Sequence, residues 1–353
     1  MADYRHALVI DVRSPDEYAH AQIPGAYSLP LFSNEERKQV GTAYKQESRE
    51  NAIKIGLKFF GPKMVSIVEQ VEAWKQEMQA TAKKNGHTHK GEQPTEFPIV
   101  VHCWRGGMRS AGIAWLLDLY GFKVYTIRGG YKVFRQWCLQ QLEKEYPFKI
   151  LGGYTGSGKT AVLHQLKKLG ENMIDLEGLA SHKGSAFGSI NMPKQPSQEM
   201  FENQLALALH QTGQQGQKAI WLEDESQRIG SINIPTVLFR SMRKADLYFL
   251  DIPFAERLNL IVQDYGKGDI EKLVNAIIRI QKRLGGLETK NAIQCLLDQD
   301  LEGCFTILLR YYDKRYAKSL ELHIEELAKP YCCIASESTN AADNAYRLLQ
   351  LGQ

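Results

Sequence analysis

Cysteine is scarce and scattered in this sequence, and long apolar runs are missing. The chain has 6 cysteines among 353 residues and no C-x-x-C pair, so neither a disulfide framework nor a structural zinc site is predicted. Every apolar run stops well short of the roughly 18 residues that a membrane-spanning helix needs. The first residues, MADYR, are polar and unlike a signal peptide. We therefore expect a cytoplasmic protein with no membrane partner.

A strong excess of one charge is also missing. The net charge of +4 comes from 44 basic and 40 acidic residues, which is too mild to imply a nucleic-acid partner by itself. Residues 1–147 hold 20 Lys and Arg against 16 Asp and Glu, and residues 148–353 hold 24 against 24. Any cationic surface in residues 148–353 must therefore come from clustering of basic residues on one face, away from the acidic residues.

Alternating strand and helix patterns predict a parallel-sheet α/β domain over residues 1–147. Residues 7–12 form an apolar, strand-like run, and Ser14 then caps a predicted helix. Residues 33–98 interrupt the alternation with helical periodicity and a polar stretch, and the alternation resumes at Ile99. We predict that residues 33–98 are a helical insertion in this domain.

A second α/β domain is predicted over residues 148–353. Residues 148–151 open a new series of strands and helices, and the pattern after Pro253 is almost entirely helical. A length of 353 residues is also consistent with two domains, at about 150 residues per domain. The predicted second domain is thus a parallel sheet with a helical C-terminal part.

The segment HCWRGGMRS, residues 102–110, stands between a predicted strand and a predicted helix. Such a loop directs backbone N–H groups and a helix N-terminus at the sulfur of Cys103, and Arg105 and Arg109 would add positive charge. A free thiol has a pKa of about 8.5, and lowering it by about two units requires about 2.7 kcal/mol. A helix N-terminus can supply up to about 2 kcal/mol, and an arginine can supply the rest. We predict that Cys103 is a nucleophile whose anion is stabilised by Arg105 and Arg109.

The cysteine loop, together with DVRSPDEY at residues 11–18, IPGA at residues 23–26 and GGY at residues 129–131, resembles a rhodanese domain. Rhodaneses carry sulfur as a cysteine persulfide in this loop. One feature departs from the family: 5 residues separate Cys103 from Arg109, whereas common single-domain rhodaneses have four. The longer loop also fits the signature of cysteine phosphatases, although the sequence has no Trp-Pro-Asp loop to supply a general acid.

The segment GYTGSGKT, residues 153–160, matches the phosphate-binding pattern G-x-x-x-x-G-K-[ST] between a strand and a helix. Its amides would surround a phosphate, Lys159 would neutralise the phosphate, and Thr160 could bind magnesium. Asp224, or Glu223 beside it, ends a later apolar strand and is the candidate second magnesium ligand. No motif identifies the ligand as a nucleotide. The predicted phosphate-binding residues are Gly153, Gly156, Ser157, Gly158, Lys159 and Thr160.

A rhodanese-like domain with a helical insertion, followed by a P-loop domain, resembles the tRNA 2-selenouridine synthase family. The resemblance covers nearly the whole chain. The segments that carry it, besides the cysteine loop and the P-loop, are NEER at 34–37, VGTAYK at 40–45, RGGYK at 128–132, HKGSAFG at 182–188 and EDES at 223–226.

This resemblance implies an enzyme that converts the wobble 2-thiouridine of certain tRNAs into 2-selenouridine, with selenophosphate as the selenium donor. The route implied passes through an S-geranylated thiouridine made from geranyl diphosphate. Cys103 would hold the chalcogen or attack the donor, and the Lys159 loop would suit the diphosphate of a nucleotide or of the isoprenoid. The alternatives are a rhodanese sulfurtransferase fused to a kinase-like P-loop module, a cysteine phosphatase, and a non-catalytic tRNA-binding protein.

A tRNA partner requires a cationic surface, and two basic clusters in the second domain are candidates for it. One cluster recurs every four residues along a predicted helix with tyrosines between its members, and the other lies earlier in the chain. A merely solvated helix face would show the same pattern. The candidate tRNA-binding residues are Arg240, Arg243, Lys244, Arg310, Lys314 and Lys318.

Overall fold

The computed structural model describes residues 7–84, 97–213, 218–266, 268–327 and 331–351. The chain separates into two compact units, Met1–Cys138 and Leu139–Gln353. Each contains a parallel sheet with helices, which confirms the predicted fold class. The division falls within a helix, whereas the domain boundary predicted at residue 147 lies just after that helix.

The first unit is built on a four-stranded parallel sheet. Its strands, in the spatial order β2-β1-β3-β4, are β1 (Leu8–Asp11), β2 (Tyr27–Ser28), β3 (Ile99–His102) and β4 (Val124–Thr126). Its helices are α1 (Pro15–His20), α2 (Asn34–Gln46), α3 (Arg49–Phe60), α4 (Met64–Lys84), α5 (Met108–Leu119) and α6 (Gly130–Leu142), which extends into the second unit.

The predicted insertion contains α2, α3 and α4, and part of its polar stretch, residues 85–96, lies outside the described residues. Ser33 fixes the start of α2 reciprocally: its hydroxyl accepts from the Glu36 N–H at 3.2 Å, and its own N–H donates to the Glu36 carboxylate at 2.8 Å. Val68 and Val71 of α4 are buried in the same core as the strand residues of β1 and β3. The insertion is therefore part of the core of the first unit.

The second unit is built on a five-stranded parallel sheet. In the spatial order β11-β10-β5-β7-β6, its strands are β5 (Phe148–Gly153), β6 (Asn172–Met173), β7 (Ile220–Glu223), β10 (Asp246–Asp251) and β11 (Cys332–Ala335). A separate antiparallel pair consists of β8 (Arg228–Ile229) and β9 (Ile232–Asn233). The helices are α7 (Lys159–Lys168), α8 (Leu176–Ala180), α9 (Gln198–Gly213), α10 (Thr236–Lys244), α11 (Phe254–Tyr265), α12 (Ile270–Leu284), α13 (Gly286–Leu297), α14 (Leu301–Leu327) and α15 (Ala341–Leu351).

The position of β5 between β7 and β10 determines where a ligand can bind in the second unit. The chain leaves β5 toward β6 and β7 on one side and later returns to β10 on the other. In open parallel sheets the crevice at such a switch point, beyond the carboxyl ends of the strands, is the usual ligand site. Beyond residue 253 the sequence pattern missed one strand, β11, which pairs in parallel with β10.

No helix in the described part of the chain is long and apolar enough to cross a membrane.

Candidate functional site

The backbone around Cys103 is held between the starts of two helices. Cys103 follows β3 directly, and its carbonyl oxygen accepts a hydrogen bond from the Tyr131 N–H, in the first turn of α6, at 2.9 Å. Gly130 has φ +61°, and a Cβ there would collide with the same carbonyl oxygen. Gly106 has φ +66°, and its Cβ would lie 2.6 Å from the Ile127 carbonyl oxygen. The two glycines let the cysteine loop pack directly on the segment before α6.

The Cys103 thiol is buried and has a lowered pKa. Burial by itself would raise the pKa, but the Ser110 hydroxyl and the backbone N–H groups of Ser110, Gly107 and Arg105 lower it below its ordinary value. The Ser110 Oγ lies 3.4 Å from the Cys103 Sγ. Only 3% of the Cys103 residue surface is exposed, so these donors act on a largely dehydrated sulfur. The arrangement favours the thiolate, which is the nucleophilic form.

The structure corrects the expected source of positive charge at Cys103. Arg109 Nη1 donates to the Glu17 carboxylate at 2.9 Å, and Arg37 Nε lies 2.8 Å from the same oxygen. Burial would raise the pKa of Glu17, but its contacts with Arg109, the Ser14 backbone and Arg37 lower it to about 2. Arg105 is exposed and forms no ion pair with any described residue. Backbone and hydroxyl donors, rather than these guanidinium groups, lower the pKa of the thiol.

Beneath the cysteine loop, a buried ion pair fixes the start of α6. The Arg13 guanidinium binds both carboxylate oxygens of Asp11, donates to the Ala21 carbonyl oxygen at 2.7 Å, and lies 3.9 Å from the centre of the Tyr131 ring. His102 is fully buried beside Asp11, and burial is the main cause of its lowered pKa of about 4. His102 is therefore neutral at physiological pH, and the Asp11–Arg13 pair supplies the buried charge here.

The phosphate loop connects β5 to α7, as predicted. Gly156 and Gly158 have φ +83° and +74°, and a Cβ at Gly156 would lie 2.8 Å from the Arg257 carbonyl oxygen. Lys159 Nζ donates to the Gly153 carbonyl oxygen at 2.8 Å, so the lysine folds back over its own loop. Ser157 is fully buried, and its hydroxyl has no hydrogen-bond partner within the described structure. Lysine, backbone amides and hydroxyl are thereby collected at the N-terminus of α7, a setting suited to a phosphate group.

The carboxylates next to this loop differ from the predicted arrangement. Thr160 Oγ1 donates to the Glu177 carboxylate at 3.0 Å, so Glu177, and not Asp224, is the acidic contact of this hydroxyl. Glu223 is fully buried and accepts from the Leu176 N–H at 3.1 Å; burial, with the charges of Asp175 and Glu177, raises its pKa well above the ordinary value. Glu177 lies on the short helix α8, for which the sequence offered no motif.

Asp224 instead belongs to a chain of contacts with α14. Tyr316 OH accepts from the Gly153 N–H at 3.2 Å and donates to the Asp224 carboxylate at 2.6 Å. His323 Nδ1 lies 3.6 Å from the other Asp224 oxygen, and His323 Nε2 donates to the Arg243 carbonyl oxygen at 3.2 Å. Burial would raise the pKa of Asp224, but His323, Tyr316 and Lys159 lower it below its ordinary value. Asp224 is therefore an anion that ties the phosphate loop to α14.

Arg257 on α11 is a second support of the phosphate loop that the sequence did not reveal. Its Nη1 donates to the Thr155 carbonyl oxygen at 3.1 Å, and both Nη atoms donate to the Asp313 carboxylate at 2.9 and 2.8 Å. The side chain is 5% exposed. A lone arginine in an amphipathic helix carries no sequence signal, because nothing local shows that it faces a loop about 100 residues away.

The two basic clusters lie on helices that pack against each other, α10 and α14. Arg310, Lys314 and Lys318 are exposed, and so are Arg240 and Lys244, whereas Arg243 is half-buried. The tyrosines between the α14 cations have a different role from the one expected, because Tyr316 contacts the phosphate loop and Tyr312 OH accepts from the Ala186 N–H at 3.2 Å. RNA binding by the exposed cations stays a prediction.

Known families match both parts of the chain. Residues 1–136 match the rhodanese-like domain family, and residues 146–330 match the family described as the tRNA 2-selenouridine synthase AAA domain. A tRNA 2-selenouridine synthase from Pseudomonas putida (strain GB-1) is 33% identical over 88% of this chain and 86% of its own length. The enzyme of that name from Hydrogenovibrio crunogenus is 36% identical over 79% of this chain and 76% of its own. One from Marinobacter nauticus is 35% identical over 87% of each. The chain thus belongs to the tRNA 2-selenouridine synthase family.

Proposed function

We propose that this protein converts 2-thiouridine at the wobble position of tRNA into 2-selenouridine, with geranyl diphosphate and selenophosphate as co-substrates. The observation that carries the proposal is that one chain of this family holds both an activated cysteine and a phosphate loop. A cytoplasmic location is part of the proposal, because tRNA is the substrate. The alternative of a non-catalytic protein gives no reason for lowering the pKa of a buried thiol.

The phosphate loop suits the first step, geranylation. The sulfur of 2-thiouridine attacks C1 of geranyl diphosphate, so that an S–C bond forms, the C–O bond breaks, diphosphate leaves with the electron pair, and the N3 proton of the base passes to water. Lys159 and the loop amides would stabilise the charge that develops on the diphosphate. Lys159 now binds a carbonyl oxygen, a contact that it can exchange for a phosphate oxygen by side-chain rotation.

Magnesium would fit beside this loop only together with the diphosphate. Within the described residues no group of three or more His, Cys, Asp or Glu side chains is placed to hold a metal ion. Magnesium commonly uses one or two protein oxygens plus substrate phosphates, and Thr160 with Glu177 supplies such a pair. Bound there, the ion would neutralise the leaving diphosphate. Asp224 is less suited to this role because Tyr316 and His323 already occupy its carboxylate.

Cys103 suits the second step, in which selenophosphate gives up its selenium. Selenium in selenophosphate is fully reduced, so a cysteine selenosulfide could form from it only with an added oxidant. Attack of the Cys103 thiolate on phosphorus needs none: an S–P bond forms, the P–Se bond breaks, and hydrogen selenide leaves. Backbone N–H groups that surround Sγ would also stabilise the phosphoryl oxygens, as the five-residue loop suggests.

Hydrogen selenide would then complete the exchange on the RNA. It attacks C2 of the S-geranylated uridine, a C–Se bond forms, the C–S bond breaks, and geranylthiol leaves. Water hydrolyses the phosphocysteine to phosphate and returns the thiolate. Lys159 thus acts in the geranyl step and Cys103 in the selenium step.

The test combines full-length protein, thiolated tRNA, geranyl diphosphate and selenophosphate, followed by digestion of the tRNA and mass spectrometry of its nucleosides. We expect 2-selenouridine with both co-substrates and S-geranyl-2-thiouridine with geranyl diphosphate alone. Cys103→Ser should stop at the geranylated nucleoside, and Lys159→Met should leave 2-thiouridine. Unchanged 2-thiouridine with wild-type protein and active reagents would refute the proposal.

A second measurement addresses the intermediate on Cys103. The protein is mixed with selenophosphate, denatured rapidly and digested, and the peptide containing Cys103 should gain the mass of one phosphoryl group. Cys103→Ser serves as the control. Released selenide without a phosphoryl adduct in wild-type protein would point away from attack on phosphorus. Fast hydrolysis of an aryl phosphate would favour the cysteine phosphatase, and thiocyanate formation from thiosulfate and cyanide would favour the sulfurtransferase.

A further inference from the structure

Helix α10 has two faces of opposite character. Leu238 and Met242 on one face are buried in the second unit. The other face borders an open groove of about 520 Å³. The groove residues that belong to α10 follow the i, i+3, i+4, i+7, i+8 spacing of a single helix side. The residues that line the groove are Gln227, Thr236, Phe239, Arg240, Arg243 and Lys244.

The lining of this groove suits an anion that also carries a flat ring. Three of its side chains are cationic and none is acidic. Arg240 and Lys244 form no ion pair with any residue of the described ranges. Phe239 provides an aromatic surface between the cations and the polar side chains. Arginine and lysine bind phosphate oxygens, whereas an aromatic ring stacks on an unpaired base. A nucleotide of single-stranded RNA presents both groups together.

Hydrogen-bonding groups at one end of the groove could meet a base edge. Gln227 Nε2 donates to Thr236 Oγ1 at 3.1 Å, so the carboxamide has its remaining N–H and its oxygen for a ligand, and the hydroxyl still has a proton to donate. A pocket of a few hundred cubic ångströms is the size that such ligands fill.

Stabilisation of the helix dipole accounts for only part of this pattern. Arg243 and Lys244 lie in the last turn of α10, where cations are favourable whatever the function. Arg240 lies one turn earlier, and Phe239 has no such explanation. Lys167, in the last turn of α7, is an equivalent exposed lysine outside the groove and provides a matched control.

The groove is connected to the phosphate loop within the second unit. The Arg243 carbonyl oxygen accepts from His323 Nε2, and His323 faces Asp224, which is linked through Tyr316 to the Gly153 N–H. Gln227 lies only a few residues beyond Asp224 in the chain. A ligand in the groove would thus contact the same hydrogen-bonded residues of the second unit that hold the phosphate loop.

We propose that this groove binds an unpaired nucleotide of the tRNA, with the base stacked on Phe239 and the flanking phosphates on Arg240, Arg243 and Lys244. The inference rests on the proposed function for the identity of the RNA. It adds a base-binding surface to what would otherwise be a set of phosphate contacts. Stacking makes the groove selective for unpaired RNA, because the bases of a continuous duplex are already stacked.

The test measures binding of fluorescent RNAs to the full-length protein by anisotropy at several salt concentrations. One RNA is an anticodon stem-loop with 2-thiouridine at the wobble position, and the other is a fully paired duplex of the same length. Phe239→Leu should weaken stem-loop binding about tenfold, with little change for the duplex and no change in salt dependence. Phe239→Trp should retain stem-loop binding.

Substitution of the groove cations should affect binding differently from substitution of Phe239. Arg240→Gln and Lys244→Gln should each weaken RNA binding. Each should also reduce the magnitude of the negative slope of log binding constant against log salt by about 1, whereas Lys167→Gln should change neither quantity. Thermal unfolding checks that every variant folds, and a 5-iodouridine placed in the loop should crosslink to the peptide that contains Phe239.

The outcomes separate this inference from the proposed function. If the wild type selenates tRNA but Phe239→Leu binds the stem-loop as tightly as the wild type, the groove assignment is wrong and the proposed function stands. An equal loss for stem-loop and duplex also overturns the base-stacking role. If the stem-loop binds through Phe239 but 2-thiouridine is never converted, the proposed function fails and the groove assignment stands.

Discussion

Substitution of Ser110 by alanine tests whether the loop activates Cys103 through hydrogen bonds. The Ser110 Oγ lies 3.4 Å from the sulfur and 3.0 Å from the Gly107 carbonyl oxygen, so its one proton must turn from that oxygen to the sulfur to lower the pKa of Cys103. Hydrogen bonds to charged groups contribute about 1.5–3 kcal/mol, and one made to sulfur at this distance belongs at the lower end. About 1.4 kcal/mol corresponds to one pKa unit. We therefore expect Ser110→Ala to raise the pKa of Cys103 by about one unit.

The assay follows alkylation of Cys103 by iodoacetamide as a function of pH, with quantification of the Cys103 peptide by mass spectrometry so that the other five cysteines do not interfere. Below the wild-type midpoint, Ser110→Ala should react about tenfold more slowly, because about tenfold less thiolate is present. At high pH the two rates should converge. Ser110→Thr keeps the hydroxyl and should keep the wild-type midpoint. An unchanged midpoint in Ser110→Ala, or an equal shift in Ser110→Thr, would refute the assigned role of the hydroxyl.

Three further predictions concern the supports of the two loops. The pKa of Glu17 is about 2 against 4.5 for the free side chain, so its carboxylate stabilises the fold above pH 4.5 and this contribution is lost as the pH falls toward 2. Glu17→Gln should accordingly lower the free energy of unfolding by about 1.5–3 kcal/mol at pH 7, and by much less near pH 2, in urea titrations. Gly130→Ala should destabilise the first unit by more than about 2 kcal/mol and slow alkylation of Cys103, because a Cβ there collides with the Cys103 carbonyl oxygen. Tyr316→Phe removes the acceptor of the Gly153 N–H and a donor to Asp224. If the phosphate loop binds geranyl diphosphate as proposed, calorimetry should show that binding weakened about tenfold, with Tyr311→Phe as the control.

Local sequence patterns were sufficient for the elements that hold the two loops. The cysteine loop and the phosphate loop each follow a buried parallel strand and lead into a helix, and both features are visible within about ten residues of sequence. The strand β11 was missed because Cys332–Ala335 is short and its neighbour β10 lies about 80 residues earlier. The pairing of β11 with β10 therefore depends on the tertiary fold, and no local sequence pattern predicts it.

The same limit applies to the charged residues of the sites. Arg109 and Glu17 are 92 positions apart, and the sequence presented Arg109 as a free cation beside Cys103 and indicated no partner for Glu17. Tyr316 and Asp224 are also 92 positions apart, and the tyrosine resembled one more ring on a basic helix face. The types of residue near each loop were predicted, whereas the choice of ion-pair partner depends on the folded arrangement of α1, α5 and α14.

The pairing of Arg109 with Glu17 has a consequence for how the cysteine loop can bind its substrate. Arg109 does not meet an anion at Cys103 as a free guanidinium, because its side chain is paired with Glu17, whereas the backbone N–H groups of Arg105, Gly107 and Ser110 donate to the sulfur without depending on an ion pair. Amides fixed by Gly106 and Gly130 also need no reorganisation as charge develops, which is the condition under which such donors are most effective. Substitution of either glycine should therefore impair the chemistry of Cys103 more than removal of the Arg109 charge does.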